Sequence, residues 1–260
     1  MMHPMLNIAI QAARQSSRII FRFLDQMDKV EISEKTQNDF VTQVDRMSEE
    51  TIITQIKKSY PDHAILAEES GHQKGFNEDY CWVIDPIDGT RNFMHGVPHF
   101  AISIAVMKKG AVELGLVYDP IRQELFTATR GQGAYLNNRR MRISPAKKFE
   151  QTLIGTGFPY KNKEGIHTYL KTFQTVFANC GDIRRAGSAT LDLAYVACGR
   201  LDGFWESGLQ LWDVAAGALM IKESGGMVTD FKNGEDYLEG GTIVAGNPKV
   251  HKELLQIIQQ

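Results

Sequence analysis

Trp82-Val83-Ile84-Asp85-Pro86-Ile87-Asp88-Gly89-Thr90 is the stretch around which the 260-residue chain can be read. Trp82, Val83 and Ile84 form an apolar run with a β-branched centre, the pattern of a buried strand. Pro86 cannot donate to a sheet ladder and holds the residue before it extended. The strand is therefore expected to end at Asp85, with the carboxylate projecting off its end. Asp88 follows on the turn, Gly89 permits a backbone conformation closed to other residues, and Thr90 caps or begins a short helix through Asn92 and Phe93. Two carboxylates and several backbone N–H groups thus converge on one small volume. Carboxylates suit a hard cation such as Mg²⁺, and N–H groups at a helix start suit an anion such as phosphate.

Before this stretch, Leu6, Ile10, Ala13, Ser17, Phe21 and Leu24 fall on one helical face, and Arg14, Arg18 and Arg22 on another. A core-facing surface helix accounts for this pattern more simply than a basic targeting helix. Val30 to Lys35 reads as a short strand or loop, and Gln37-Asn38-Asp39 as a turn. Thr42 and Asp45 have capping-box spacing and open a helix that carries Val44, Met47, Ile52, Ile53 and Ile56 and is closed by Pro61. Capping alone would account for Asp45. His63–Ala67 is another short apolar strand, and it ends in Glu68-Glu69-Ser70-Gly71. Acids at a strand end are common by themselves; one strand away from Asp85, this pair becomes a third arm of a metal site.

After the stretch come strand-like segments at 100–107, 111–118, 124–129 and 134–143, separated by turn residues including Lys109-Gly110 and Asn137-Asn138, so an antiparallel sheet is expected. Arg139, Arg140, Arg142, Lys147 and Lys148 form a basic run, read more simply as a solvated face than as a polyanion patch. Ser144 to Glu150 is the best place to divide the chain, giving an α+β lobe over 1–145 and an α/β lobe over 146–260 in which strands and helices alternate. In the second lobe Trp212-Asp213-Val214-Ala215-Ala216-Gly217 stands out. Asp213 would by default be an N-cap; the functional alternative is that its helix aims it at the Asp85 turn from the other lobe.

The formal net charge of −2 gives no global reason for nucleic-acid or membrane attraction. Three cysteines without metal-ligand spacing support neither a disulfide framework nor a zinc site, and no apolar run is long enough to cross a bilayer. A cytoplasmic protein without membrane partners is the simpler expectation. Gly-x-Ser-x-Gly, the Walker loop and the dinucleotide fingerprint are all missing. His95 and His99 are separated by Gly96 and Pro98, which forbid the helix that would align both on zinc. The order Asp-Pro-Ile-Asp-Gly-Thr is also one residue longer than the Asp-x-Asp-Gly-Thr of haloacid-dehalogenase-like phosphatases, which moves the second carboxylate out of the acid/base position.

Glu68-Glu69-Ser70, Asp85-Pro86-Ile87-Asp88-Gly89-Thr90 with Asn92-Phe93, and Trp212 to Gly217 together resemble the inositol monophosphatase family, over nearly the whole chain. Arg184-Arg185-Ala186-Gly187-Ser188-Ala189 followed by Leu191-Asp192-Leu193-Ala194 resembles its bacterial SuhB branch. The resemblance implies a two-lobed, layered αβαβα sandwich, a homodimer and a lithium-sensitive phosphomonoesterase that uses two to three Mg²⁺ ions. Its substrates would be myo-inositol monophosphates and related small polyol phosphates, cleaved by a metal-activated water; NADP-type and sugar phosphates remain open. Glu68, Asp85, the Ile87 carbonyl and Thr90 would surround the first ion, and Asp85, Asp88 and Asp213 the second. Asp45 would orient Thr90, making Asp45, Glu68 and Thr90 the catalytic group. Asp88, Gly89, Thr90 and Asp213 would meet the phosphate side, and Arg184, Gly187, Ser188, Ala189 and Glu206 the alcohol. Two departures from the family pattern are Arg91, where a small residue is usual, and Ser224 before Gly225-Gly226. The alternative function implied by the SuhB likeness is transcription antitermination, through binding of RNA polymerase or its elongation factors.

Overall fold

The computed structural model describes residues 3–24, 26, 30–36, 39–159 and 164–260. Helix α1 (Pro4–Leu24) buries Leu6, Ala9, Ala13 and Ile20 and turns Arg14, Arg18 and Arg22 outward. Phe21, expected on the buried stripe, is 40% exposed, because Ile20 takes the core position. Strands β1 (Ile32–Thr36) and β2 (Asp39–Thr42) pair antiparallel; of the turn expected between them, Gln37 and Asn38 lie outside the described residues. Helix α2 (Gln43–Ser59) starts where the capping box placed it. β3 (His63–Ala67), β4 (Gly71–Gln73) and β5 (Asn77–Asp88) follow, then helix α3 (Thr90–Met94) and the meander β6 (Ala101–Lys108), β7 (Ala111–Asp119), β8 (Glu124–Thr129), β9 (Gly133–Leu136) and β10 (Arg139–Arg140). The expected strand over 134–143 is in fact the last two of these. Asn137 and Asn138 break it by taking positive φ (45° and 65°), as a tight hairpin turn requires.

The second half contributes β11 (Leu153–Thr156), α4 (Ile166–Asn179), β12 (Asp182–Arg184), α5 (Ala189–Ala197), β13 (Gly203–Ser207), α6 (Leu211–Glu223), β14 (Met227–Thr229), β15 (Thr242–Gly246) and α7 (Pro248–Ile258). After the β1–β2 pair, the eight strands β3 to β10 form one sheet in the order β10-β9-β8-β7-β6-β5-β3-β4. The later five form a second, ordered β12-β11-β13-β15-β14. The large sheet is antiparallel except where β3 pairs parallel with β5.

Period-2 alternation explains how five layers stack. Ile102, Ile104 and Val106 of β6 turn into a core shared with α1 and α2, while Ala101 and Ala105 of the same strand turn into a second core with α5 and α6. In β13, Phe204 joins that central core and Trp205 faces a third one with α4 and α7. The result is the layered αβαβα arrangement. Small residues set the spacing of the middle layer. A Cβ on Gly115 of β7 would lie 2.8 Å from Ala216 Cα, and one on Gly217 would lie 2.5 Å from Leu193 Cβ, so α6 presses directly on the sheet and on α5. That close seat fixes the start of α6, and with it Asp213, over the carboxyl end of β5.

Pro86 does not end its strand. β5 continues to Asp88, and the register with β6 slips between Asp85↔Ser103 and Asp88↔Ala101, so one extra residue is accommodated there. A β-bulge leaves a position without a ladder bond, which is where a residue lacking N–H can sit. The bulge re-aims Asp85 and Asp88 toward one side, an effect the expected strand end would also have had.

Candidate active site and metal centre

A cleft of about 470 Å³ opens between the end of β5, the start of α5 and the start of α6. At its base the carboxylates of Asp85, Asp88 and Asp213 offer oxygens that all lie within 4.8 Å of one another. Asp85 is buried, and its Oδ1 accepts the Ile87 N–H at 2.9 Å. Burial first, then the neighbouring charges of Glu68, Asp88 and Asp213, hold its carboxyl well above the usual carboxylate range. Glu68, at the end of β3, also lies within hydrogen-bonding reach of Asp85. Four acids crowded in this way repel one another unless positive charge joins them. Their donor set is entirely hard oxygen, which fits Mg²⁺ or a similar cation and not a thiolate-seeking metal.

Each acid is fixed by its surroundings. Asp88 Oδ2 accepts from Ser188 Oγ at 2.5 Å, Thr190 N at 2.8 Å and Thr190 Oγ1 at 2.6 Å, which ties β5 to the start of α5. For Asp213 both readings weighed from the sequence meet: it is the third residue of α6, where its Oδ2 accepts the Gln210 N–H at 2.6 Å in a capping box, and it also faces Asp85 and Asp88. The Glu68 loop is held from beneath by buried Glu49, whose oxygens accept from Glu69 N at 2.7 Å and Ser70 N at 2.8 Å. Asp45 serves two purposes at once. Its Oδ2 accepts from Thr42 N at 2.8 Å in the capping box, and its Oδ1 lies 3.1 Å from Thr90 Oγ1. That hydroxyl is also 3.1 Å from the Ile87 carbonyl.

Gly89 adopts φ 96°, and a Cβ there would come within 3.1 Å of the His99 carbonyl and 3.2 Å of the Gly187 carbonyl. Only glycine fits, and the turn presents Thr90 N–H as the first of a helix, without an intrahelical acceptor. Asn92 locks this turn to the second half of the chain by donating to the His99 carbonyl at 2.7 Å and the Ala186 carbonyl at 2.9 Å.

Of the residues expected on the alcohol side, Gly187, Ser188, Ala189 and Glu206 line the cleft. Within the cleft wall, the Ser188 hydroxyl also caps α5 and donates to Asp88. Arg184 is not among the lining residues. It lies on the exposed strand β12, where Asp182 holds its guanidinium, and Arg185 lines the cleft instead. Arg91 is exposed and reaches the rim. His95 and His99 form no metal cluster among the described residues; His95 is exposed, and burial pushes the His99 imidazole's pKa down. Thr190, Glu49, Arg185 and Asp192 were missed by sequence reasoning. A hydroxyl at the second position of a helix carries no sequence mark, and Glu49 looks like any polar residue on a helix.

The layered fold and acid-lined cleft define a class of protein, and the model of the inositol monophosphatase family matches residues 1–260: the chain belongs to that family and has its phosphatase fold. Among individual relatives, it is 55% identical over 254 residues to the Nus factor SuhB of Escherichia coli strain K12, covering 98% of this chain and 95% of the relative. The crystal structure of the extragenic suppressor protein SuhB from Bartonella henselae superposes with a TM-score of 0.97 at 42% identity, with 99% of each chain covered. An inositol monophosphatase from Thermotoga maritima superposes with a TM-score of 0.90 at 35% identity, covering 99% of this chain and 97% of that one.

Proposed function

We propose that this protein is a Mg²⁺-dependent phosphomonoesterase that releases inorganic phosphate from myo-inositol monophosphates and related small polyol phosphates. The observation that carries the reading is the convergence of Asp85, Asp88 and Asp213 from β5 and α6 on one point of the cleft. Asp85, Asp88 and Asp213, with Glu68, Thr90 and the Ile87 carbonyl beside them, would hold two to three ions. When bound, such ions neutralise the phosphate and acidify a water. The chain's own groups do the positioning. Asp45 holds the Thr90 hydroxyl toward the point of attack, with Glu68 opposite. Gly89 and Thr90 N–H groups point at the phosphate, and Asp88, anchored by Ser188 and Thr190, keeps its other oxygen toward the cluster. Glu206, Gly187, Ser188 and Ala189 form the alcohol side. The active form is a cytoplasmic homodimer in this reading. Phosphate release from myo-inositol 1-phosphate tests it: turnover that needs Mg²⁺ and falls with Li⁺ is expected, and absence of Mg²⁺-dependent turnover rejects it.

A second role is favoured by the name of the relatives, Nus factor SuhB. Arg139, Arg140, Arg142, Lys147 and Lys148 are all exposed along one edge of the large sheet and beyond it, a surface suited to an acidic partner. In this role the protein binds RNA polymerase or an elongation factor. Co-purification of RNA polymerase with the wild-type protein, lost when these five residues are neutralised, is the expected result.

A further inference from the structure

Beside the acid cluster, two more carboxylates line the same cleft. Asp192 projects from α5 and Glu206 from β13, and both are buried, at 2% and 9% exposure. Gly157, one residue past the end of β11, leaves the room that the Glu206 carboxylate occupies, and Gly155 within the strand stands beside Asp192. A Cβ on Gly157 would lie 1.8 Å from Glu206 Oε1, and one on Gly155 would lie 3.7 Å from Asp192 Cγ. Unlike Asp45, Asp85 and Asp88, neither side chain accepts a hydrogen bond from a described residue. Burial, then the Asp88 charge, pushes the Asp192 carboxyl up; burial, then Asp192, Asp213 and Asp88, pushes up that of Glu206; the Arg185 guanidinium acts in the opposite sense on both. A buried carboxylate without donors is costly, and native structures supply the donors. Here they must come from what fills the cleft.

We propose that Asp192 is a specificity-determining residue: with Glu206 it forms an acceptor floor that takes hydrogen bonds from at least two hydroxyls of the leaving alcohol. This rests on the phosphatase reading and deepens it. Glu206 alone would serve one hydroxyl; adding Asp192 makes the floor selective for polyhydric alcohols over alcohols that bring no donor. Asp192 comes from α5, whose start is anchored on Asp88, and Glu206 from β13 of the second sheet.

The test compares two substrates in Mg²⁺, myo-inositol 1-phosphate and p-nitrophenyl phosphate, the second having no hydroxyl to offer. In Asp192→Asn, kcat/KM for the inositol ester should fall roughly tenfold or more beyond any fall for the nitrophenyl ester, mostly through KM, as expected for hydrogen bonds to a charged acceptor. Asp192→Ala should show the same preference lost; if it does not fold, the near-isosteric Asn variant decides alone. Equal losses on both substrates, or no loss on either, overturn the proposal. A wild-type protein that cleaves only the nitrophenyl ester overturns the polyol floor and leaves the phosphatase reading standing. One that cleaves neither removes the phosphatase reading and the floor with it.

Discussion

Helices α2 and α6 begin in the same way and do different things with it. Each carries an aspartate at its third position, Asp45 or Asp213, whose carboxylate accepts the N–H of the residue before the helix, at 2.8 Å from Thr42 and 2.6 Å from Gln210. Asp45 is fully buried, and its second oxygen goes to the Thr90 hydroxyl; Asp213 is partly exposed and stands among Asp85 and Asp88. One device therefore delivers a charge that is spent within the protein and another that is left in the cleft. A capping box orients a carboxylate at no added conformational cost, and burial decides which role it can take.

The contrast is broken most forcefully at Asp213. Asp213→Asn keeps an oxygen for the cap and removes the cluster charge, so turnover should fall at least on the order of 100-fold with little change in melting temperature, since cation assistance contributes several kcal/mol. Steady-state assays and thermal melts on one preparation check both halves. Asp45→Asn should cost less, roughly 10-fold to 30-fold in kcat, as for residues that orient a group at a metal site. Equal losses in the two variants would erase the distinction.

The pH dependence separates the clustered acids from the paired one. Asp85's folded-state pKa is raised, so between its unfolded value of about 3.9 and that raised value the folded state holds more protons than the unfolded state. Its contribution to stability is complete below the unfolded value and is lost as pH rises through the folded one. In chelator, the melting temperature of Asp85→Asn relative to wild type should therefore climb from pH 4 to pH 8 by several degrees, at about 2–4 °C per kcal/mol. Mg²⁺ should abolish the gain. Smallest is Thr42→Ala, which removes the hydroxyl that accepts from Val44 N and Asp45 N. It should cost about 1 kcal/mol in chemical denaturation.

Much of this was legible in the sequence. Thr42-x-x-Asp45 marked the start of α2 because capping is local, and the alternating apolar pattern marked the strands because burial on one face is local too. Asp85, Asp88, Glu68 and Asp213 announced themselves as acids at element ends. What escaped depended on distant chain. Pro86 looked like a strand end because the bulge that accommodates it is defined by β6. Arg184 and Arg185 look alike in sequence; only the placement of β12 at the sheet edge turns one to solvent and the other to the cleft. Asp192 reads as one more helical residue, because its place in the cleft beside Glu206 depends on how α5 and β13 pack.

The central claim is that the Asp85, Asp88 and Asp213 carboxylates hold Mg²⁺. Calorimetric titration of the substrate-free protein with MgCl₂ tests it directly, alongside Asp88→Asn. The account predicts saturable binding to wild type, weakened roughly tenfold or more in the variant, which loses a charged oxygen ligand. Wild-type protein that shows no saturable binding, or a variant that binds as tightly as wild type, would contradict it.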